Sequence, residues 1–159
     1  MRFASLRAAL ALGWATGLAG CGTLPAPGSA PATASGLPLE SCPFCRLAPA
    51  EIVDSDGPCL AVRDAHPASP GHTLIMPRRH VASFRDLTPE EWSAMARLAR
   101  RLAAALQAED PSIAGFNYGT NDGPAAGQTI PHCHFHLIPR RPGDVPNPRG
   151  GIRKAVSAR

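Results

Sequence analysis

The sequence has no apolar run long enough to cross a bilayer: its best stretch, Ala8–Ala19, falls short of the roughly 20 residues a membrane helix needs. It has little excess of either charge. Sixteen Lys and Arg against 12 Asp and Glu give a formal net charge of +4, too mild to indicate a nucleic-acid binder. It also lacks an even set of cysteines. Of the five, Cys21, Cys59 and Cys133 are isolated and Cys42 and Cys45 form a C-x-x-C, a pattern that is no disulfide framework. No internal repeat is visible. What is present is enough for one domain plus extras: 159 residues, 44% of them hydrophobic, can form a core.

The extras lie at the N-terminus. Residues 1–21 read as a targeting segment, with Arg2 and Arg7 in a short basic region followed by the apolar Ala8–Ala19. The arginines are not adjacent, so no twin-arginine signal is present. The segment ends Leu18-Ala19-Gly20-Cys21 and resembles the lipobox of bacterial lipoproteins, in which the cysteine is lipidated and becomes the new N-terminus. That reading predicts a protein anchored at a membrane of the cell envelope through Cys21. The rival reading is a misassigned start upstream of a cytoplasmic enzyme. Loss of the segment removes Arg2 and Arg7 and no acid, leaving a charge of +2. Residues 22–39, rich in Pro, Ala and Ser, read as a flexible tether, and the folded domain is expected over residues 40–159.

Within the domain, strands are predicted at Glu51–Val53, Cys59–Asp64, His72–Met76 and Ile113–Gly119, with a turn at Asp56-Gly57-Pro58. The second and third can pair antiparallel across the loop 65–71. The clearest helix opens at Thr88-Pro89-Glu90-Glu91, with Thr at the N-cap, Pro at the first helical position and Glu closing a capping box. Trp92, Met95, Ala99, Leu102 and Leu106 step by three and four and predict one apolar stripe, with Arg97, Arg100 and Arg101 mostly off it. Asp110-Pro111 ends the helix. Strands in runs with one good helix indicate an α+β fold, an antiparallel sheet with the helix packed on one face.

The chemistry concentrates in Pro131-His132-Cys133-His134-Phe135-His136-Leu137-Ile138-Pro139-Arg140. In an extended strand, residues two apart share a face. This predicts a row of His132, His134 and His136, with Cys133, Phe135 and Leu137 turned into the core. The preceding loop, Asn121 to Thr129, carries glycines and is expected to offer backbone N–H groups to an anion such as phosphate. The basic residues of the tail, Arg140, Arg141, Arg149, Arg153, Lys154 and Arg159 against Asp144 alone, suit a phosphorylated substrate or a merely solvated surface. A half-buried strand without chemistry remains the bland alternative for the histidine row.

The segment from Asn121 to Arg140 resembles the signature of the histidine-triad family of nucleotide hydrolases and transferases, in its zinc-containing bacterial form, and the likeness runs from about Cys42 to Ile152. The resemblance implies that His134 attacks the α-phosphorus of a nucleotide and that a backbone carbonyl of the same strand fixes its tautomer. It implies that His136 contacts the phosphate or leaving group and that His72 supports the triad. It further implies that Asp64 holds the ribose hydroxyls and that Asn121 and Gln128 contact the phosphates. His66 matches no functional position. His at the third triad position, where transferases of the family carry Gln, favours water as the final acceptor. Dinucleoside polyphosphates and nucleoside phosphoramidates are the implied substrates, and a homodimer the implied assembly.

Cys42, Cys45, His80 and His132 together supply the S₂N₂ set that tetrahedral zinc prefers. A C-x-x-C alone would serve equally as a redox pair. By resemblance the four residues hold a structural zinc that ties the N-terminal segment to the catalytic strand. Export would set oxidation of the pair against metal loading. Two further classes of function stay open: a non-catalytic nucleotide- or zinc-binding lipoprotein, and a thiol oxidoreductase, for which the βαβ context is missing.

Overall fold

A computed structural model of the chain describes residues 39–156. The targeting segment, Cys21 and all but the last residue of the tether lie outside the described residues. Five strands form one antiparallel sheet in the order β1-β2-β3-β5-β4: β1 Ile52–Asp56, β2 Cys59–Arg63, β3 Thr73–Pro77, β4 Gly115–Gly119 and β5 Phe135–Arg140. One long helix, α1, spans Pro89–Glu109. This is the α+β arrangement read from the sequence.

β1 and β2 are a tight hairpin in which Asp56 faces Cys59 across Gly57-Pro58. β2 pairs with β3 antiparallel as expected, in a register that sets Arg63 opposite Thr73 and Cys59 opposite Pro77. These two strands are buried at nine of ten positions because both faces of the sheet are covered. On one face Cys59, Ala61, Ile75 and Leu137 pack against Met95, Leu98, Leu102 and Leu106 of α1. On the other, Leu60, Val62, Leu74 and Met76 meet Phe44 and Leu47 of the N-terminal segment and Ile52 of β1. The alternation follows from the two-residue period of a strand.

The helix begins as predicted. The Thr88 hydroxyl accepts from the Glu91 N–H at 3.1 Å, and the Glu91 carboxylate accepts from the Thr88 N–H at 2.8 Å. Met95, Ala99, Leu102 and Leu106 face the core, but Trp92 does not: it is 46% exposed and meets Phe84 edge to face at 4.7 Å. Glu91, 4% exposed, takes the inward position in the first turn. It is buried at little penalty because Arg79 grips it with two nitrogens at 3.0 and 2.8 Å. Arg97 and Arg101 reach across to Asp56 and Asp54, tying the helix surface to the first hairpin.

The histidine segment departs from the sequence reading. Strand pairing starts only at Phe135, so His132 and His134 precede the strand and His136 alone belongs to it. Local bonds explain this: His132 N–H turns back to Ile130 O at 2.8 Å, and Cys133 N–H goes to Val81 O at 2.6 Å. Leu137 still faces the core under α1 with Phe135 packed against it, and Cys133 is buried.

Candidate active site

His134 is buried at 5% exposure. Its Nδ1 lies 2.7 Å from the backbone oxygen of His132. A carbonyl can only accept, so Nδ1 keeps the proton and the lone pair sits on Nε2. Thr120 Oγ1 donates to the His134 carbonyl at 2.8 Å, and the Phe44 ring packs edge-on against the imidazole at 5.2 Å. Neither contact was legible beforehand, although an aromatic residue inside the C-x-x-C was a signal that its turn packs inward.

His136 stands beside it, ring centroids 5.1 Å apart. Its Nδ1 is 2.9 Å from Nε2 of His72, while its own Nε2 is buried with no hydrogen-bond partner. Burial, with His134 and His72 nearby, pushes the His136 pKa down to about 4. His72 thus touches the histidine row through its Nε2. Its other nitrogen, Nδ1, is 3.2 Å from Asp64 Oδ2 and receives the Ala68 N–H, also at 3.2 Å. Burial lowers the His72 pKa, against the pull of Asp64. The remaining Asp64 oxygen accepts from the His66 N–H at 2.8 Å.

The loop residues are placed differently. Asn121 is exposed. Gln128 braces the loop, its Oε1 accepting from Gly123 N–H and its Nε2 donating to Ala82 O, both at 2.8 Å. The N–H groups of Ala126, Gly127 and Gln128 close bonds within the loop itself, so the loop offers fewer free donors than its composition suggests. Two residues of the basic tail are committed too: Arg140 holds Asp144 and Asn117, and Arg141 holds Asp110.

The four sulfur and nitrogen residues converge. Cys42 Sγ is 3.5 Å and Cys45 Sγ 3.6 Å from His132 Nδ1, and Cys45 Sγ is 3.3 Å from His80 Nδ1. A tetrahedral zinc with ordinary Zn–S and Zn–N bonds has S–N edges of about 3.5 Å, so the cluster can hold a metal ion without rearrangement. His132 Nε2 donates to Pro77 O at 2.9 Å, which presents Nδ1 to the centre of the cluster. Partial burial and the neighbouring Cys42 push the Cys45 thiol up to about 11; a bound cation would favour its thiolate. Cys59 and Cys133 are buried apart from the cluster, with thiols raised by burial to about 11 and about 12, and are inert on that account.

The HIT domain profile matches residues 46–143. The chain belongs to the HIT domain family. This HIT-domain chain is 39% identical over 107 residues to an uncharacterised HIT-like protein of Mycobacterium tuberculosis, covering 65% of this chain and 74% of that one. Among solved structures it resembles a Zn-bound histidine triad family protein from Mycobacterium smegmatis, with a TM-score of 0.61, 34% identity, and coverage of 74% of this chain and 94% of that one. It is also 34% identical over 99 residues to the bifunctional bis(5'-adenosyl)-triphosphatase/adenylylsulfatase of Arabidopsis thaliana, covering 62% of this chain and 54% of that protein. Members of the family include nucleotide hydrolases.

Proposed function

We propose that this protein is a nucleotide phosphohydrolase. It cleaves at the α-phosphorus through a nucleotidyl-His134 intermediate and releases a nucleoside monophosphate from dinucleoside polyphosphates or nucleoside phosphoramidates. The observation that carries the proposal is the 2.7 Å contact of His134 Nδ1 with the His132 carbonyl. It holds the imidazole in the one neutral tautomer whose lone pair is on the outer nitrogen, the form that attacks phosphorus. Attack forms the Nε2–P bond and expels the leaving group; water then opens the phosphoramidate, so two lower barriers replace one. His136, with its unpartnered Nε2, meets the leaving atom, and His72 orients it. Asp64 holds the ribose hydroxyls, Asn121 contacts the phosphates, and Gln128 joins Asn121 there or sets the loop that does so. The relative with bis(5'-adenosyl)-triphosphatase activity supports the substrate class.

Cys42, Cys45, His80 and His132 hold a structural zinc, a reading supported by the cluster's edge lengths and by the Zn-bound relative. With four protein ligands the site is closed, so zinc supplies cross-linking and no chemistry. A homodimer fits β4, an edge strand against which a second copy can pair. Export and anchoring through Cys21 rest on residues 1–21 of the sequence. Single-turnover labelling with a nucleotide radiolabelled at the α-phosphate tests the core of the proposal. Wild type should trap label on His134, and His134→Ala should lose both label and turnover, the latter by roughly a thousandfold or more. Binding without label or turnover in wild type would leave a non-catalytic nucleotide-binding protein.

A further inference from the structure

His134 stands just beyond the paired part of its own strand. Pairing of β5 with β3 runs only as far as Phe135, opposite Ile75, and pairing with β4 stops at His136, opposite Gly119. On the β4 side the connection is carried further by a side chain. Thr120, the first residue after that strand, donates from Oγ1 to the His134 carbonyl at 2.8 Å. We infer that Thr120 is a positioning residue: its hydroxyl fixes the peptide plane that follows His134 and so aims the imidazole at phosphorus. The inference rests on the reading of His134 as the nucleophile.

Two peptide planes frame His134, and each is held from outside β5. The plane between His132 and Cys133 is held by the Cys133 N–H, which donates to Val81 O at 2.6 Å. The N–H and C=O of a planar trans peptide point in opposite directions, so this bond turns the His132 carbonyl away from Val81. That carbonyl is the one 2.7 Å from His134 Nδ1. The plane between His134 and Phe135 carries the carbonyl that Thr120 holds. The first bond fixes the acceptor that selects the tautomer, and the second fixes the far end of the residue. With both ends held, the Cα–Cβ bond has one direction and the ring one line of approach. Threonine suits the task. Branching at Cβ leaves its χ1 stiff, so the hydroxyl stays aimed once the backbone is placed. The residue is also half-buried, so water competes less for the bond than it would at an open surface.

Both pins adjoin the loop that precedes the histidines. Val81 leads into Ala82, whose carbonyl accepts from Gln128 Nε2 at 2.8 Å, and into Ser83, whose hydroxyl donates to Asp122 Oδ2 at 3.1 Å. Thr120 leads directly into Asn121 and Asp122. The loop 121–128 is thus strapped to residues 82 and 83 at two points, and the residue before each side of that strapping holds one plane at His134. A ligand that settles the loop settles the aim of the imidazole with it. Thr120 acts through His134 and touches no reacting atom, so its loss falls on the attack and not on ground-state binding.

Thr120→Val keeps the shape and removes the donor, while Thr120→Ser keeps the donor and removes the methyl group. First-turnover labelling of His134 is followed with diadenosine triphosphate radiolabelled at the α-phosphate, and affinity is measured with adenosine monophosphate. Both are read at a temperature where circular dichroism finds all three proteins folded. Thr120→Val is expected to slow labelling by about tenfold to a hundredfold, the scale of a misplaced reacting group. Its Kd for the monophosphate should stay within about threefold of wild type, and Thr120→Ser should stay within about threefold in both measurements. Labelling of Thr120→Val at the wild-type rate overturns the inference. So does an equal loss in both variants, which makes the residue a packing contact, or a rise in Kd that matches the loss of rate, which makes it a binding one. A wild type that takes no label sinks the hydrolase reading instead. Histidine ¹⁵N spectra then decide the positioning: the His134 Nδ1 proton should be protected from solvent exchange in wild type and Thr120→Ser and lose that protection in Thr120→Val, and equal protection in all three overturns it.

Discussion

Replacing Gly71 with alanine tests how closely the loop before His72 is built. Gly71 has φ +91°, and a Cβ there would lie 3.1 Å from Pro139 Cγ and 3.2 Å from Leu106 Cδ2. The substitution meets two separate penalties. An L-residue at positive φ costs about 1–2 kcal/mol, and forcing a methyl into packed surroundings adds about 1–3 kcal/mol. Together they predict a loss of about 3 kcal/mol, or roughly 12 °C in Tm at about 4 °C per kcal/mol for a domain of this size. Gly57 provides the control within the same protein. Its φ is +49° and a Cβ there would meet nothing within 4 Å, so Gly57→Ala carries the backbone penalty alone, about 1 kcal/mol and about 4 °C. Thermal unfolding of both variants by circular dichroism separates the contributions. Because residue 71 leads directly into His72, turnover by Gly71→Ala at a temperature where it is folded should fall as well. If Gly71→Ala melts within about 2 °C of Gly57→Ala, the wall formed by Pro139 and Leu106 yields freely and the packing argument is wrong.

Cys42→Ser or His80→Ala should lower thermal stability more than it lowers turnover per folded molecule, and elemental analysis of wild type should find about one zinc per chain; a metal-free preparation with full stability rules the structural site out. His136 titrates near about 4 in the folded chain and near the ordinary ~6.5 when unfolded. As pH falls below that value the unfolded state binds the proton first, so the stability this site contributes is complete above pH ~6.5 and is lost toward pH ~4. The loss should be about 2 kcal/mol after allowance for solvent screening, read as a falling urea midpoint that flattens in His136→Phe. Cys21→Ala should move the protein from the membrane to the soluble fraction of fractionated cells; a wild type that is already soluble and starts near Ser41 contradicts lipid anchoring.

The helix was legible because its signals are local: Thr88, Pro89 and Glu91 form a cap within four residues, and that cap is what the structure contains. Trp92 was misjudged because periodicity reports which face a residue occupies and not how far the sheet extends beneath it. In the first turn the paired Glu91 fills the inward place. The histidine alternation identified the candidate segment, yet its strand begins later than periodicity implies, since the His132 N–H turns back to Ile130 and the Cys133 N–H bonds to Val81, in a loop some 50 residues upstream. The placement of Asp64 against His72, and of Gln128 against Ala82, could not be read for the same reason. The sequence names the groups, while loop paths decide which group each one meets.

β5 is the last strand in the chain and yet sits inside the sheet, between β3 and β4. A growing chain that has reached residue 130 already holds every other strand and the helix, but the slot they leave is empty and the inner edge of β3 is bare. Such an edge is a template for unwanted pairing between chains, so synthesis of residues 135–140 ends a vulnerable interval. A fragment stopping at residue 130 should aggregate where the full chain does not. The same few residues bring His134 and His136 to His72, and His132 to Cys42, Cys45 and His80. Closure of the sheet and assembly of the site are thus one event, and a newly made chain has no stage at which it is half competent.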